Sequence, residues 1–142
     1  VALDLTKQIA RDGEGAHSLI EVRVDDARDV AQAKRVAKAI VNSPLVKTAV
    51  HGGDPNWGRV AMAIGKCSYD TDIDQDRVTI RFGATEVYPT LLGDDALAAL
   101  SDYMRSPEVR IHVSLATGTD AATVWGCDLS DTYVRFNADY TT

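Results

Sequence analysis

Glu14, Asn137 and Thr142 carry groups able to hold an amino acid. Glu14 stands between Gly13 and Gly15, so a ligand or neighbouring chain can approach its carboxylate closely. A carboxylate in that position can bind a substrate ammonium through a charge-assisted hydrogen bond. From position alone, a surface glutamate in a turn is the plainer alternative. The Asn137 amide offers both a donor and an acceptor, which suits the amino and carboxylate groups of an amino acid, and Thr142 adds a hydroxyl. There the plainer alternative is a frayed polar tail.

A second candidate is the run from Gly52 to Gly58, seven consecutive residues dense in turn formers. Gly52, Gly53 and Gly58 permit positive φ or close backbone approach, Asp54 is a good N-cap, and Pro55 suits the first turn of a helix. A glycine-rich turn before a helix start can cradle a phosphate or carboxylate. The run lacks the Lys-Ser/Thr of a P-loop, and no GxGxxG occurs, so nucleotide binding has no motif support. The alternative is a rigid corner in which Trp57 packs, Asn56 bonds to backbone and Arg59 pairs with a carboxylate.

Other chemistries find less support. His17, His51 and His112 are far apart and form no HxxxH or HExxH pattern, and neither cysteine sits at metal-ligand spacing, so no metal site is expected. His112 alternates with Ile111 and Val113, which puts it on the solvent face of a strand. No GxSxG marks a nucleophile. The run Asp70 to Asp76 resembles a calcium loop but lacks the central Gly and final Glu, so a solvated acidic turn is expected.

The run Ala39-Ile-Val-Asn-Ser43-Pro-Leu-Val-Lys47-Thr48-Ala49, followed by Gly53-Asp-Pro-Asn-Trp-Gly-Arg59, resembles the ornithine acetyltransferases (glutamate N-acetyltransferases) of arginine biosynthesis. Arg11-Asp-Gly-Glu14-Gly-Ala16 and Cys127-Asp-Leu-Ser130…Asn137-Ala-Asp-Tyr-Thr-Thr142 are similar to the same family. These anchors occur in order and span nearly the whole chain. The resemblance implies that Glu14, Asn137 and Thr142 bind substrate, and it outweighs the plainer alternatives above. Asp139 stands where the family often has Glu, and His51 where it often has Phe; neither departure touches catalysis.

The family are N-terminal-nucleophile enzymes that cleave themselves at an Ala-Thr bond in a Met-Ala-Thr-Met-Leu-like segment. Here Ala84-Thr85, Ala116-Thr117 and Ala122-Thr123 have the wrong surroundings, so this chain holds no catalytic residue of its own. It resembles the C-terminal part of the β subunit, and a start at Val1 fits a fragment or processed piece. The implied reaction is ping-pong acyl transfer from N-acetylornithine to glutamate through a Thr outside this chain. The implied partners are the α chain and the rest of the β chain of one precursor, in an α2β2 heterotetramer in the cytoplasm, with no cofactor. A stand-alone small-anion module and a non-catalytic assembly domain are the alternatives.

The elements that would position these groups follow from composition and periodicity. An apolar fraction of 45% and a charged fraction of 25% are ordinary for a globular protein. A net charge of −6 without a basic cluster argues against nucleic acid, and no apolar run approaches membrane-spanning length. No signal-peptide pattern is visible. Cys67 and Cys127 form no CxxC and are expected as two reduced thiols. Helices are expected over Ala2 to Arg11, Val30 to Val41 and Pro55 to Lys66, and after Asp94 or Asp95 with Leu97, Leu100, Tyr103 and Met104 inward. Strands are expected over His17 to Val24, Leu45 to Val50, Arg77 to Phe82 and Val109 to Leu115. Asp25 to Asp29 reads as a polar turn ending in a helix cap. Gly118 to Ala121 reads as a hairpin turn into Ala122 to Leu129, and a last short helix ending in a polar tail is expected from Asp128. Residues 1–142 are thus expected to form one α+β domain, a mixed β-sheet with helices packed on it, the C-terminal domain of an N-terminal-nucleophile-type enzyme.

Overall fold

The computed structural model describes residues 2–11 and 16–129. Its elements in chain order are α1 (Ala2–Arg11), β1 (Leu19–Ala27), α2 (Val30–Val41), α3 (Pro44–His51), α4 (Trp57–Lys66), a 3-10 turn (Cys67–Tyr69), β2 (Thr79–Phe82), β3 (Thr85–Tyr88), α5 (Asp94–Met104), β4 (Glu108–Ser114) and β5 (Asp120–Cys127). The five strands form one sheet in the order β3-β2-β4-β1-β5. β1 runs parallel to β4 and antiparallel to β5, and the other neighbours are antiparallel. The expected mixed sheet with helices on it is what the chain forms.

Strand alternation divides the sheet into two faces. Ile20, Val22 and Val24 of β1 and Val109, Ile111 and Val113 of β4 are fully buried, in one cluster with Ala33, Val36, Ala37 and Ile40 of α2. Leu100 and Met104 of α5 join the same core, whereas Leu97 and Val30 remain exposed. The other face is polar. Glu21 stands opposite Arg110 and Trp125, and Arg23 opposite His112 and Thr123. Glu21 accepts from Arg110 Nε at 2.5 Å and from Trp125 Nε1 at 3.1 Å. Asp25 accepts from Ser114 Oγ and pairs with His112 Nε2, each at 2.6 Å. His112 therefore lies on the face without the core helices, but it is hydrogen-bonded to Asp25 and partly covered. α1 meets this side through Lys7, which pairs with Glu108 and lies 6.0 Å from the Trp125 ring centroid. Its Leu5 and Ile9 are exposed.

Three expectations are overturned. Leu45 to Val50 is not a strand but most of α3. Ser43 caps that helix by accepting from Val46 N, Pro44 takes its first turn, and Val46, Ala49 and Val50 are buried at helical spacing. A short apolar run does not distinguish helix from strand by periodicity, but Ser-Pro is a helix-start signal. Second, β4 and β5 are not a hairpin, because β1 lies between them. The connection crosses the end of β1, where Leu115 N donates to Asp25 O and Thr117 and Gly118 N donate to Asp26 O. The true tight hairpin joins β2 to β3 through Gly83, at φ +61°, and Ala84; β3 was not anticipated. Third, Asp25 to Asp29 is not all turn. β1 continues to Ala27 through an irregularity after Val24, and only Asp29 acts as the expected cap, accepting from Gln32 N.

Gln32 is a junction no local pattern reveals. It is 2% exposed, yet its amide makes four bonds. It accepts from Arg28 N and Thr117 Oγ1 and donates to Thr71 Oγ1 and Asp72 O, tying three loops together. The acidic turn is correspondingly anchored: Asp70 pairs with Arg35 at 3.1 Å and Asp72 with Arg28 at 2.8 Å. No helix of the described residues is long and apolar enough to cross a membrane.

Candidate functional site

Glu14, Asn137 and Thr142 lie outside the described residues, as does most of the short helix expected from Asp128. What is described is the frame on either side of them. Ala16, His17 and Ser18 lead into β1, and Cys127, Asp128 and Leu129 lead out of β5. β1 and β5 are antiparallel neighbours, with Leu19 opposite Cys127. The entry to β1 and the exit from β5 therefore meet at one end of the sheet.

Asp128 joins them. Its side chain has 0% exposure. Oδ1 accepts from the backbone N–H of His17 at 2.8 Å and of Ser18 at 2.9 Å, while Asp128 N donates to Ser18 O at 3.1 Å. Oδ2 lies 2.9 Å from His51 Nδ1 at the end of α3. With its Oδ2 serving as acceptor, that contact assigns the His51 proton to Nδ1. The His51 ring stacks on His17, with centroids 5.2 Å apart. α3 holds the exit of β5 twice more: Lys47 Nζ donates to Cys127 O at 2.8 Å, and Leu129 N donates to Lys47 O at 3.3 Å.

A buried carboxylate with several hydrogen bonds is a strong local anchor, because loss of one partner leaves buried polar groups unsatisfied. The anchor is not a catalytic triad among the described residues. No hydroxyl or thiol there is bonded to His51, and the nearby Ser18 Oγ donates to Ser106 O at 3.0 Å. Two of the histidines first considered for metal binding, His17 and His51, are thus ring-stacked structural groups here. Their convergence with Asp128 had no local signal, because His17, His51 and Asp128 come from three separate segments.

The Gly52–Gly58 run is a built corner. Gly53 has φ +65°, and Ser101 Oγ donates to its carbonyl at 2.6 Å. Asp54 N donates to Ala49 O at 2.9 Å. α4 starts at Trp57, and its N-cap is Asn56, which accepts from Arg59 N; Asp54 and Pro55 do not take the cap and first-turn roles expected for them. Trp57 packs on Tyr88 with ring centroids 4.9 Å apart. Arg59 donates to Leu45 O at 2.8 Å and Thr48 Oγ1 at 3.1 Å, not to a carboxylate. The open cleft beside the corner has Asp54 and Asn56 in its wall. A carboxylate in the wall and a self-capped helix start make it a poor anion cradle.

Cys67 and Cys127 are both free. Cys67 is fully buried and Cys127 partly so.

The profile of the ArgJ family matches residues 1–142. A glutamate N-acetyltransferase of Streptomyces clavuligerus, Oat2, is 66% identical over 146 residues, covering 99% of this chain and 37% of that protein. The arginine biosynthesis bifunctional protein ArgJ 2 of a Nostoc strain is 61% identical over 142 residues, covering 100% of this chain and 37% of that protein. Among solved structures, the arginine biosynthesis bifunctional protein ArgJ of Bacillus halodurans superimposes with a TM-score of 0.87 at 43% identity, over 96% of this chain and 64% of that one. The chain thus spans little more than a third of the length of these curated relatives.

Proposed function

This chain belongs to the ArgJ family, and on that premise we propose that it is the C-terminal part of the β chain of a glutamate N-acetyltransferase. Its reaction moves an acetyl group from N-acetylornithine to glutamate in the cytoplasm, as part of arginine biosynthesis. The nucleophile is a Thr outside this chain, freed by self-cleavage of the precursor at an Ala-Thr bond. Its hydroxyl oxygen attacks the acetyl carbon, the C–N bond breaks, and the departing amine takes the proton. The glutamate amine then attacks the acetyl-Thr ester, forming the new amide and restoring the hydroxyl. The complete enzyme is an α2β2 heterotetramer of the N-terminal-nucleophile class, and residues 1–142 form one of its domains.

In this reading, Glu14 holds the substrate ammonium, and Asn137 and Thr142 complete the pocket. The observation that carries it is the family match along all 142 residues. The Asp128 junction supports it, because it brings the described chain next to Glu14 together with the described chain before Asn137. These groups act by orienting the amino acid rather than by making bonds.

The test is made in the complete enzyme. Glu14→Gln keeps the shape and removes the charge, which should weaken substrate binding by roughly 1.5–3 kcal/mol, the range for hydrogen bonds to charged groups. Asn137→Ala should raise KM or lower kcat/KM for N-acetylornithine without unfolding the protein. Normal turnover of N-acetylornithine by both variants removes these residues from the site.

A further inference from the structure

We propose that the outward face of α1, carrying Leu5 and Ile9, is a seam against which the preceding portion of the same β chain packs. Leu5 and Ile9 stand four residues apart and so share one face of the helix. They are 56% and 69% exposed. Lys7, two positions from each, lies on roughly the opposite side. It is the more covered residue: its side chain is 28% exposed, pairs with Glu108 at 3.4 Å and stands 6.0 Å from the Trp125 ring centroid. α1 thus turns its charge toward the sheet and its apolar stripe away from it, the reverse of the pattern of a surface helix.

One exposed leucine would be ordinary. The stripe differs because α1 has only ten residues, and a helix that short persists by burying an apolar face. The Lys7–Glu108 pair is open to solvent on both sides and contributes little by itself. The stripe holds no charge, so the surface it fits is apolar. The inference rests on the reading that residues 1–142 are the C-terminal part of a β chain. In that reading the preceding portion is joined to α1 itself and meets it at the high effective concentration of an intramolecular partner. The relatives have chain to supply such a layer: the match covers 37% of the S. clavuligerus protein and 64% of the solved B. halodurans chain. Because α1 lies on the polar side of the sheet, away from the core under α2, the covering portion makes a second layer there.

Two measurements on the complete enzyme test the seam, and neither needs a substitution that could unfold it. Hydroxyl-radical footprinting compares native with urea-unfolded protein. Leu5 and Ile9 should oxidise about tenfold or more slowly in the native state. Leu91, which is 86% exposed, should change less than about twofold. Photo-leucine, incorporated in place of leucine, then identifies the occupant: Leu5 should cross-link to a peptide that precedes Val1 in the β chain. Native protection of Leu5 and Ile9 no greater than that of Leu91 overturns the proposal. So does a cross-link from Leu5 to the α chain, to a second β chain, or only within residues 1–142. If the intact mass of the β chain leaves no residues before Val1, the C-terminal reading falls and takes the seam with it. If the enzyme transfers no acetyl group while protection and cross-link are as expected, the acyltransferase reading falls and the seam stands.

Discussion

At the scale of single residues, the polar face of the sheet holds the clearest electrostatic case. Burial by itself raises the Asp25 carboxyl. Hydrogen bonds from Ser114 and His112, with the charges on His112 and Arg23, outweigh that and hold it below its ordinary value of 3.8. A carboxylate depressed in the folded state contributes stability above its unfolded value, and that contribution is lost as the pH falls through the lower folded value. Asp25→Asn should therefore lower the unfolding midpoint at neutral pH, and its gap from the parent should narrow as the pH falls below 3.8. Midpoints measured against pH for both proteins check this; a gap independent of pH contradicts it. The cysteines make a second residue-scale prediction. Burial pushes the Cys67 thiol above its ordinary value of 9.0; Arg35 opposes the rise and Asp70 adds to it. Because the thiolate is the reactive form, Cys67 should resist alkylation until the protein unfolds, while the partly exposed Cys127 should label in the native state. Mass spectrometry of alkylated peptides separates the two, and native labelling of Cys67 contradicts its burial.

At the scale of elements, two glycines make different demands. Gly53 needs a positive φ, and the three atoms nearest a Cβ there, each 2.8 Å away, belong to the Arg105 side chain. Gly118 lies where the connection from β4 to β5 crosses β1, and a Cβ would sit 2.4 Å from Ala27 O and 2.7 Å from Arg28 Cα. A side chain can move aside, whereas the β1 backbone is held by strands on both sides. Gly53→Ala should cost about 1–2 kcal/mol, the penalty of a left-handed L-residue. Gly118→Ala should cost about 3 kcal/mol or more, the upper range for overpacking. Urea unfolding of the two variants should rank them in that order; the reverse order removes the crossing as the tighter constraint. Gly53→Val adds a β-branched residue to the positive φ and should impair folding more than Gly53→Ala.

At the scale of the whole molecule, the described part is a sheet with an apolar face under α2 to α5 and a polar face crossed by charge pairs. The chain spans 37% of the S. clavuligerus relative. Without a self-cleaving Thr segment, the isolated 142-residue chain should transfer no acetyl group from N-acetylornithine to glutamate, whereas the complete enzyme should. Transfer by the isolated chain, measured as ornithine release, would overturn the assignment of the nucleophile to another part of the protein.

The sequence by itself determined the α+β class, the mixed sheet, the family, and the helices around Val30–Val41, Trp57–Lys66 and Asp94–Met104. These follow from local periodicity and from short motifs, which survive without knowledge of contacts. It also carries the α3 start in Ser43-Pro44, although the short apolar run after it reads as a strand by periodicity. Only the tertiary structure decided that β1 enters between β4 and β5, that Gln32 joins three loops, and that Asp128 gathers His17, Ser18 and His51. Each of these depends on pairing across 39 to 111 positions. Nothing in a local window encodes such a partner, because the free energy of a long-range pair is realised only when the intervening chain has already folded.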